Sequence, residues 1–230
     1  MKKFNMKALL STAAVTVALS MGSAQAEDAI TAVSWGGAYT KSQVKAYHEP
    51  FTKETGVKIN SVDYNGGVAE IKAQVEAGNV TWDIVDVELS DAVRGCDEGL
   101  LERIDHSMLP AAPDGTPAKD DFLEGTLHEC AVANIVWSTI YAYDTTKITG
   151  DKPMTIADFF NIEKWPGKRG LRKNPKANLE MALIADGVAA DKVYETLSTP
   201  EGLDRAFAKL DTLKGNIVWW EAGAQPPQLL

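Results

Sequence analysis

The chain has 230 residues, of which 45% are hydrophobic, with 32 acidic against 23 basic side chains, a formal net charge of −9 and only two cysteines. The length is enough to bury a good core and to hold two lobes. The acidity argues against nucleic acid as a partner, because phosphate backbones are met by Lys and Arg.

The first element is a leader. Lys2, Lys3 and Lys7 make a positive start, Ala8 to Met21 is apolar and small-residue-rich, and Ala24-Gln25-Ala26 fits the small-x-small cleavage pattern. Residues 1–26 therefore read as a secretory signal peptide, too short in its apolar run for a stable span. No Cys near the cut points to a lipid anchor, and no later stretch approaches the roughly 20 apolar residues of a membrane helix. Removing three lysines and no acid leaves a mature chain near −12, exported and periplasmic. Such a field mildly favours a cationic ligand; acidity that simply keeps the protein in solution is the plainer alternative.

After the leader, strand and helix signals alternate. "ITAVSW" (30–35) reads as a strand that ends on Gly36-Gly37 and Tyr39. Gly suits backbone that turns sharply or approaches something closely, and Trp and Tyr are large surfaces with one polar handle each. Val44, Tyr47 and Phe51 mark one helix face, stopped at Gly56. "VKINSVDY" (57–64) is a short strand, and a helix follows Gly66-Gly67 and stops at Gly78. "TWDIVDVE" (81–88) is a strand, and Ser90 is placed as the N-cap of a helix through Cys96. This β-α-β-α-β-α order predicts a parallel sheet covered by helices, an α/β fold.

Residues 106–121 hold three prolines and read as a loop, and "CAVANIVWSTIYAYD" (130–144) as a long strand leaving one sheet for another. Thr155 caps "IADFF". "WPGKRGLR" (165–172) turns into a strand, and Leu179, Ala182 and Leu183 share a helix face. Thr199-Pro200 opens a further helix in the Pro-at-first-position manner. "NIVWWE" (216–221) is a strand, and "AGAQPPQLL" starts one more helix. A domain rarely stops on an opening helix, so the expectation is that the C-terminal part is missing. Trp82 and Trp165 read as packing residues.

Two cysteines in an exported chain predict one disulfide, Cys96–Cys130. The alternative is His128-Glu129-Cys130 as metal ligands, which lacks a second pair at zinc-like spacing. No nucleophile elbow, dinucleotide fingerprint or phosphate loop is present in the mature chain, and no cofactor is expected. Asp83, Asp86, Glu88 and Asp91 gather at the end of the third strand, where open α/β sheets bind ligands. They leave one enzymatic alternative, a secreted hydrolase using carboxylates near Glu88. In a strand, however, Asp86 and Glu88 point to opposite faces.

"SWGGAYTKS", "FTKETGVKI", "WDIVDV", "EGLLERID", "NIVWSTIYAYD" and "WPGKRGLR" together resemble bacterial extracellular solute-binding proteins of ABC transporters, specifically the spermidine/putrescine-binding group. The resemblance implies a type II periplasmic-binding-protein fold of two lobes, each a mostly parallel sheet flanked by helices. It divides the chain into a first lobe (27–138) and a crossover with an incomplete second lobe (139–230). It implies no enzyme, and a monomer that holds a small cationic or amino-group-bearing, polyamine-like solute between the lobes and delivers it to an inner-membrane permease with its ATPase. Carried over by position, the substrate-binding residues are Trp35, Gly37 and Tyr39 after the first strand, and Glu88 and Ser90 after the third. Trp137, Ser138 and Thr139 follow on the crossover, and Trp220 and Glu221 in the second lobe. Of the neighbouring tryptophans, Trp220 is assigned to the cleft and Trp219 to the core. One departure stands against polyamine itself: where that group carries acids before the second-lobe helix, this chain has Lys173, Asn174 and Lys176.

Overall fold

Three strands at the front of the chain lie side by side in the computed structural model, which describes residues 29–230. The leader and its cut after Ala26 lie outside these described residues. β1 (Ala29–Ser34) is central, with β2 (Lys58–Asp63) and β3 (Ile84–Val85) on either side, both parallel to it. Between β1 and β2 the chain runs through α1 (Gly37–Gln43), a π-helical turn (Val44–His48) and α2 (Glu49–Thr55), ending on Gly56 in the left-handed conformation. α3 (Ala69–Glu76) crosses from β2 to β3, and α4 (Leu89–Asp97) follows β3. The expected parallel α/β order is present.

Three expectations change here. β3 covers two residues rather than eight. Asp83 N donates to Thr31 O and Asp86 N to Val33 O, after which the chain turns away from β1. Because the turn comes early, α4 starts at Leu89. Glu88 takes the N-cap place without a side-chain cap, and Ser90 falls inside the first helical turn. The long crossover strand is also not formed. Beyond the short hairpin of β4 (Leu127–His128) and β5 (Ala131–Val132), residues 133–144 have no regular structure. A strand needs a neighbour to take its N–H and C=O groups, and none of the described strands runs beside this stretch. Val136 and Ile140 stay exposed as a result.

The cysteines form the expected disulfide, Cys96–Cys130, which ties the end of α4 to the β4–β5 turn at a Cα separation of 5.7 Å. Cys130 is therefore not a metal ligand.

The second lobe is built from a parallel pair, β6 (Arg169–Arg172) and β7 (Ile217–Trp220), with helices against it. Before that pair come α5 (Ala118–Asp121) and α6 (Ile156–Phe160). α6 has a full capping box: Thr155 Oγ1 accepts from Asp158 N, and Asp158 Oδ2 accepts from Thr155 N. α7 (Asn178–Ala185), α8 (Val193–Leu197) and α9 (Pro200–Asp211) follow, the last opened by Thr199 Oγ1 accepting from Gly202 N. α10 (Pro226–Leu229) is the final turn. Leu171, Ala182, Leu183, Val193, Ala206 and Leu213 make one continuous core here, with Phe160 at its edge. Trp165 is buried, as a packing residue should be, whereas Trp219, expected in the core, is half exposed.

"WPGKRG" acquires a physical role. The Arg169 guanidinium is buried without a carboxylate, and burial pulls its pKa down. Its N–H groups instead donate to the carbonyls of Phe159, Asn161, Trp165 and Gly167. One side chain thus holds the α6–β6 connection to the start of β6. Among the described residues no helix is long and apolar enough to cross a membrane.

Candidate functional site

The carboxyl ends of β1, β2 and β3 face the second lobe across a cavity of about 1700 Å³ lined by residues of both. In open α/β sheets this edge is where ligands sit. Two glycine-rich turns, Gly36-Gly37 and Gly66-Gly67, shape the first-lobe side. The Trp35 ring lies over Gly66, where a Cβ would stand 2.0 Å from the ring, and Gly66 has φ +84°. Gly36 has φ +76°, and a Cβ there would meet Asp63 Oδ2 at 2.8 Å. Only glycine allows both the backbone and the approach. Trp35 also packs at 5.5 Å on Tyr64, which in turn meets Trp82 edge-on at 5.6 Å.

Beneath this aromatic step, Asp86 holds the strand ends together. Its Oδ2 accepts from Ser34 Oγ at 3.1 Å and Gln43 Nε2 at 2.9 Å, and its carbonyl accepts from Tyr64 Oη at 2.5 Å. Burial, followed by the Asp86 charge, pushes the Tyr64 phenol well above its ordinary pKa. Tyr39 is raised in the same way, burial first and Asp86 second. Asp86 and Glu88 do point different ways: Asp86 into this network, Glu88 across the cleft.

The second lobe brings two cations to meet them. Arg172, the last residue of β6, lies with its guanidinium carbon 4.9 Å from the Trp35 ring centre. Its Nη2 donates to Asn65 O at 2.6 Å, and Nη1 stands 3.6 Å from Glu88. Lys176 Nζ lies between Glu88 Oε2, at 2.6 Å, and Asp91 Oδ2, at 2.8 Å. Burial alone would lower the Lys176 pKa, but the hydrogen bonds to Asp91 and Glu88 outweigh it and hold the ammonium above its ordinary range. The turn carrying both cations is tied together by a buried amide. Asn178 is buried, and its amide donates to Arg172 O and Asn174 O, both at 2.7 Å. Ala177 has φ 68°, the one positive-φ non-glycine among the described residues, a strain held in place by that locked turn.

Of the residues carried over from the sequence, Trp35, Tyr39, Glu88, Trp137, Thr139 and Trp220 line the cavity. Gly37 stands at the start of α1 opposite Ala224, 3.5 Å from where its Cβ would be. Ser90 and Ser138 are exposed and do not line it. Glu221 lies outside it, paired with Lys173 at 3.4 Å. Sequence reasoning placed Asp91 in the carboxylate cluster after the third strand, but assigned no binding role to Arg172, Lys176, Asn65 or Tyr64. A signal for Lys176 was present: a cation just before a helix N-terminus opposes the helix dipole, so it calls for acids from elsewhere.

A two-lobe α/β fold with a charged, aromatic cleft at the strand ends is the architecture of a receptor for small solutes. The chain belongs to the bacterial extracellular solute-binding protein family, whose pattern matches residues 46–230. It is 51% identical over 208 residues to a gamma-aminobutyric acid-binding protein of Pseudomonas aeruginosa, an alignment covering 90% of this chain and 57% of that protein. Among solved structures it resembles MotA of A. tumefaciens B6 in complex with glucopine, with 36% identity and a TM-score of 0.79 over 87% of this chain and 59% of that one. It also resembles the Atu4243-GABA receptor, with 37% identity and a TM-score of 0.67 over 87% of this chain and 58% of the other. The chain thus spans less than two thirds of the length of these relatives.

Proposed function

We propose that this protein is the periplasmic receptor of an ABC importer for a small solute that carries an amino group and a carboxylate at opposite ends, an ω-amino acid of the γ-aminobutyrate kind. The observation that carries the reading is Arg172, set by the second lobe over the Trp35 ring and beside Glu88. A guanidinium takes a carboxylate in bidentate fashion. The Trp35–Tyr64 step offers a wall for a short methylene chain, and Glu88 a partner for the ammonium. The relatives that bind γ-aminobutyrate support the same class. A polyamine, the finer expectation from sequence, fits the cleft charges less well, since it has nothing to offer Arg172. Binding draws the lobes together on the ligand, and the closed form is what a membrane permease would receive.

Thermal unfolding of the full-length protein tests the reading. With γ-aminobutyrate at a hundred times its Kd, stabilisation of about 2.7 kcal/mol is expected. Stabilisation by putrescine and none by γ-aminobutyrate would sink it.

A further inference from the structure

We infer that Lys176 is a specificity-determining residue: its ammonium holds the place between Glu88 and Asp91 that a second ammonium of the ligand would need, and so excludes diamines from the cleft. The inference rests on the reading of the cleft as an amino-carboxylate site and deepens it. Lys176 meets both carboxylates at hydrogen-bond distance, 2.6 and 2.8 Å, and the side chains of both acids are only 12% exposed. Carboxylates so shielded from water need a counter-charge, and this chain supplies its own.

The other cation of the cleft is held more loosely to the same acid, Arg172 Nη1 standing 3.6 Å from Glu88. An ω-amino acid can enter by a balanced exchange. Arg172 gives up Glu88 and takes the ligand carboxylate, while Glu88 takes the ligand ammonium. A diamine cannot make that exchange. Its first ammonium displaces Arg172 from Glu88 and leaves the guanidinium facing a cation. Its second finds the acids already paired with Lys176. The turn around Asn178 fixes the backbone from which Lys176 reaches the two acids, and the two short contacts to Glu88 and Asp91 hold its ammonium.

The test compares γ-aminobutyrate with putrescine, which differ mainly in a carboxylate exchanged for an aminomethyl group, by calorimetry on the full-length protein. Lys176→Gln should bind putrescine at least about ten-fold more tightly than the unaltered protein does, a gain of one factor of ten per 1.4 kcal/mol. Lys176→Arg, which keeps the charge, should still exclude it. Equal putrescine affinity in the unaltered protein and Lys176→Gln would overturn the inference. If instead the unaltered protein fails to bind γ-aminobutyrate, the functional reading falls, while the putrescine comparison still reports on Lys176. Should Lys176→Gln not fold, Lys176→Met, which keeps the apolar stem and removes the charge, carries the same putrescine comparison with the same expected gain of about ten-fold; no gain would overturn the inference.

Discussion

The two lobes are held together by different means. In the second, Ala182, Leu183, Ala206 and Leu213 are completely buried around one sheet, and every helix that packs there lies within a single stretch of chain. In the first, apolar side chains at and after the third strand remain open: Ile84 and Leu89 are each 59% exposed. Its buried apolar set is smaller, Val33, Val68, Ile71 and Ala92, and the network on Asp86 and the Cys96–Cys130 bridge add polar and covalent ties to it. A lobe closed by apolar packing resists change at its core. A lobe that adds hydrogen bonds and a disulfide to a smaller core is open to change at those links as well.

A matched pair of truncations separates the two lobes. Leu183→Ala should cost about 3–5 kcal/mol by urea unfolding, since a fully buried leucine loses both its transfer energy and its packing partners. Ile84→Ala should cost under about 0.5 kcal/mol, as for most exposed positions. Similar losses at both sites would mean that Ile84 is packed as tightly as Leu183.

Next comes the bridge. Cys96 and Cys130 are 34 residues apart, so reducing the disulfide should lower stability by about 3–4 kcal/mol in the chain-entropy account. Denaturation with and without reductant measures it. The effect should be confined to first-lobe probes, Trp35 and Trp82 fluorescence among them, and a loss spread evenly over both lobes would contradict the division.

At the cleft, Trp35→Ala removes the surface on which Arg172 rests. Affinity for γ-aminobutyrate should fall by about 0.5–2 kcal/mol, the scale of a ring–cation contact, with unfolding little changed. Calorimetry on the full-length protein decides it; unaltered affinity would remove Trp35 from the site.

The smallest effect belongs to Tyr64→Phe, which deletes the hydrogen bond to Asp86 O and should cost about 1 kcal/mol. It carries a pH signature. The folded phenol is raised above its ordinary value of 10.0, burial first and Asp86 next. As pH rises past 10 the unfolded chain loses this proton while the folded chain keeps it. Stability from Tyr64 is therefore full below about pH 10 and declines above it. Tyr64→Phe should flatten that part of the decline, and phenolate absorbance should show Tyr64 titrating after the exposed tyrosines.

The elements that could be read from the chain were those whose cause lies within a few residues. Thr155 with Asp158 and Thr199 with Pro200 start helices wherever they occur in such a pattern, and Gly56 ends one. The alternation of β1, β2 and their helices follows from the same short-range periodicity, as does the place of Trp35 and Glu88 at strand ends. The length of β3 and the fate of residues 133–144 were not readable, because an apolar run becomes a strand only when another strand lies alongside. Nor were the cations of the cleft: Lys176 meets Asp91 across 85 residues of sequence, and Arg172 meets Asn65 across 107. By sequence alone "RKNPKANLE" is a basic run before a helix, out of keeping with a polyamine site. Its meaning as the counter-charge to Glu88 and Asp91 arises only when the two lobes face each other, because charge pairing depends on distance in space and has no period along the chain.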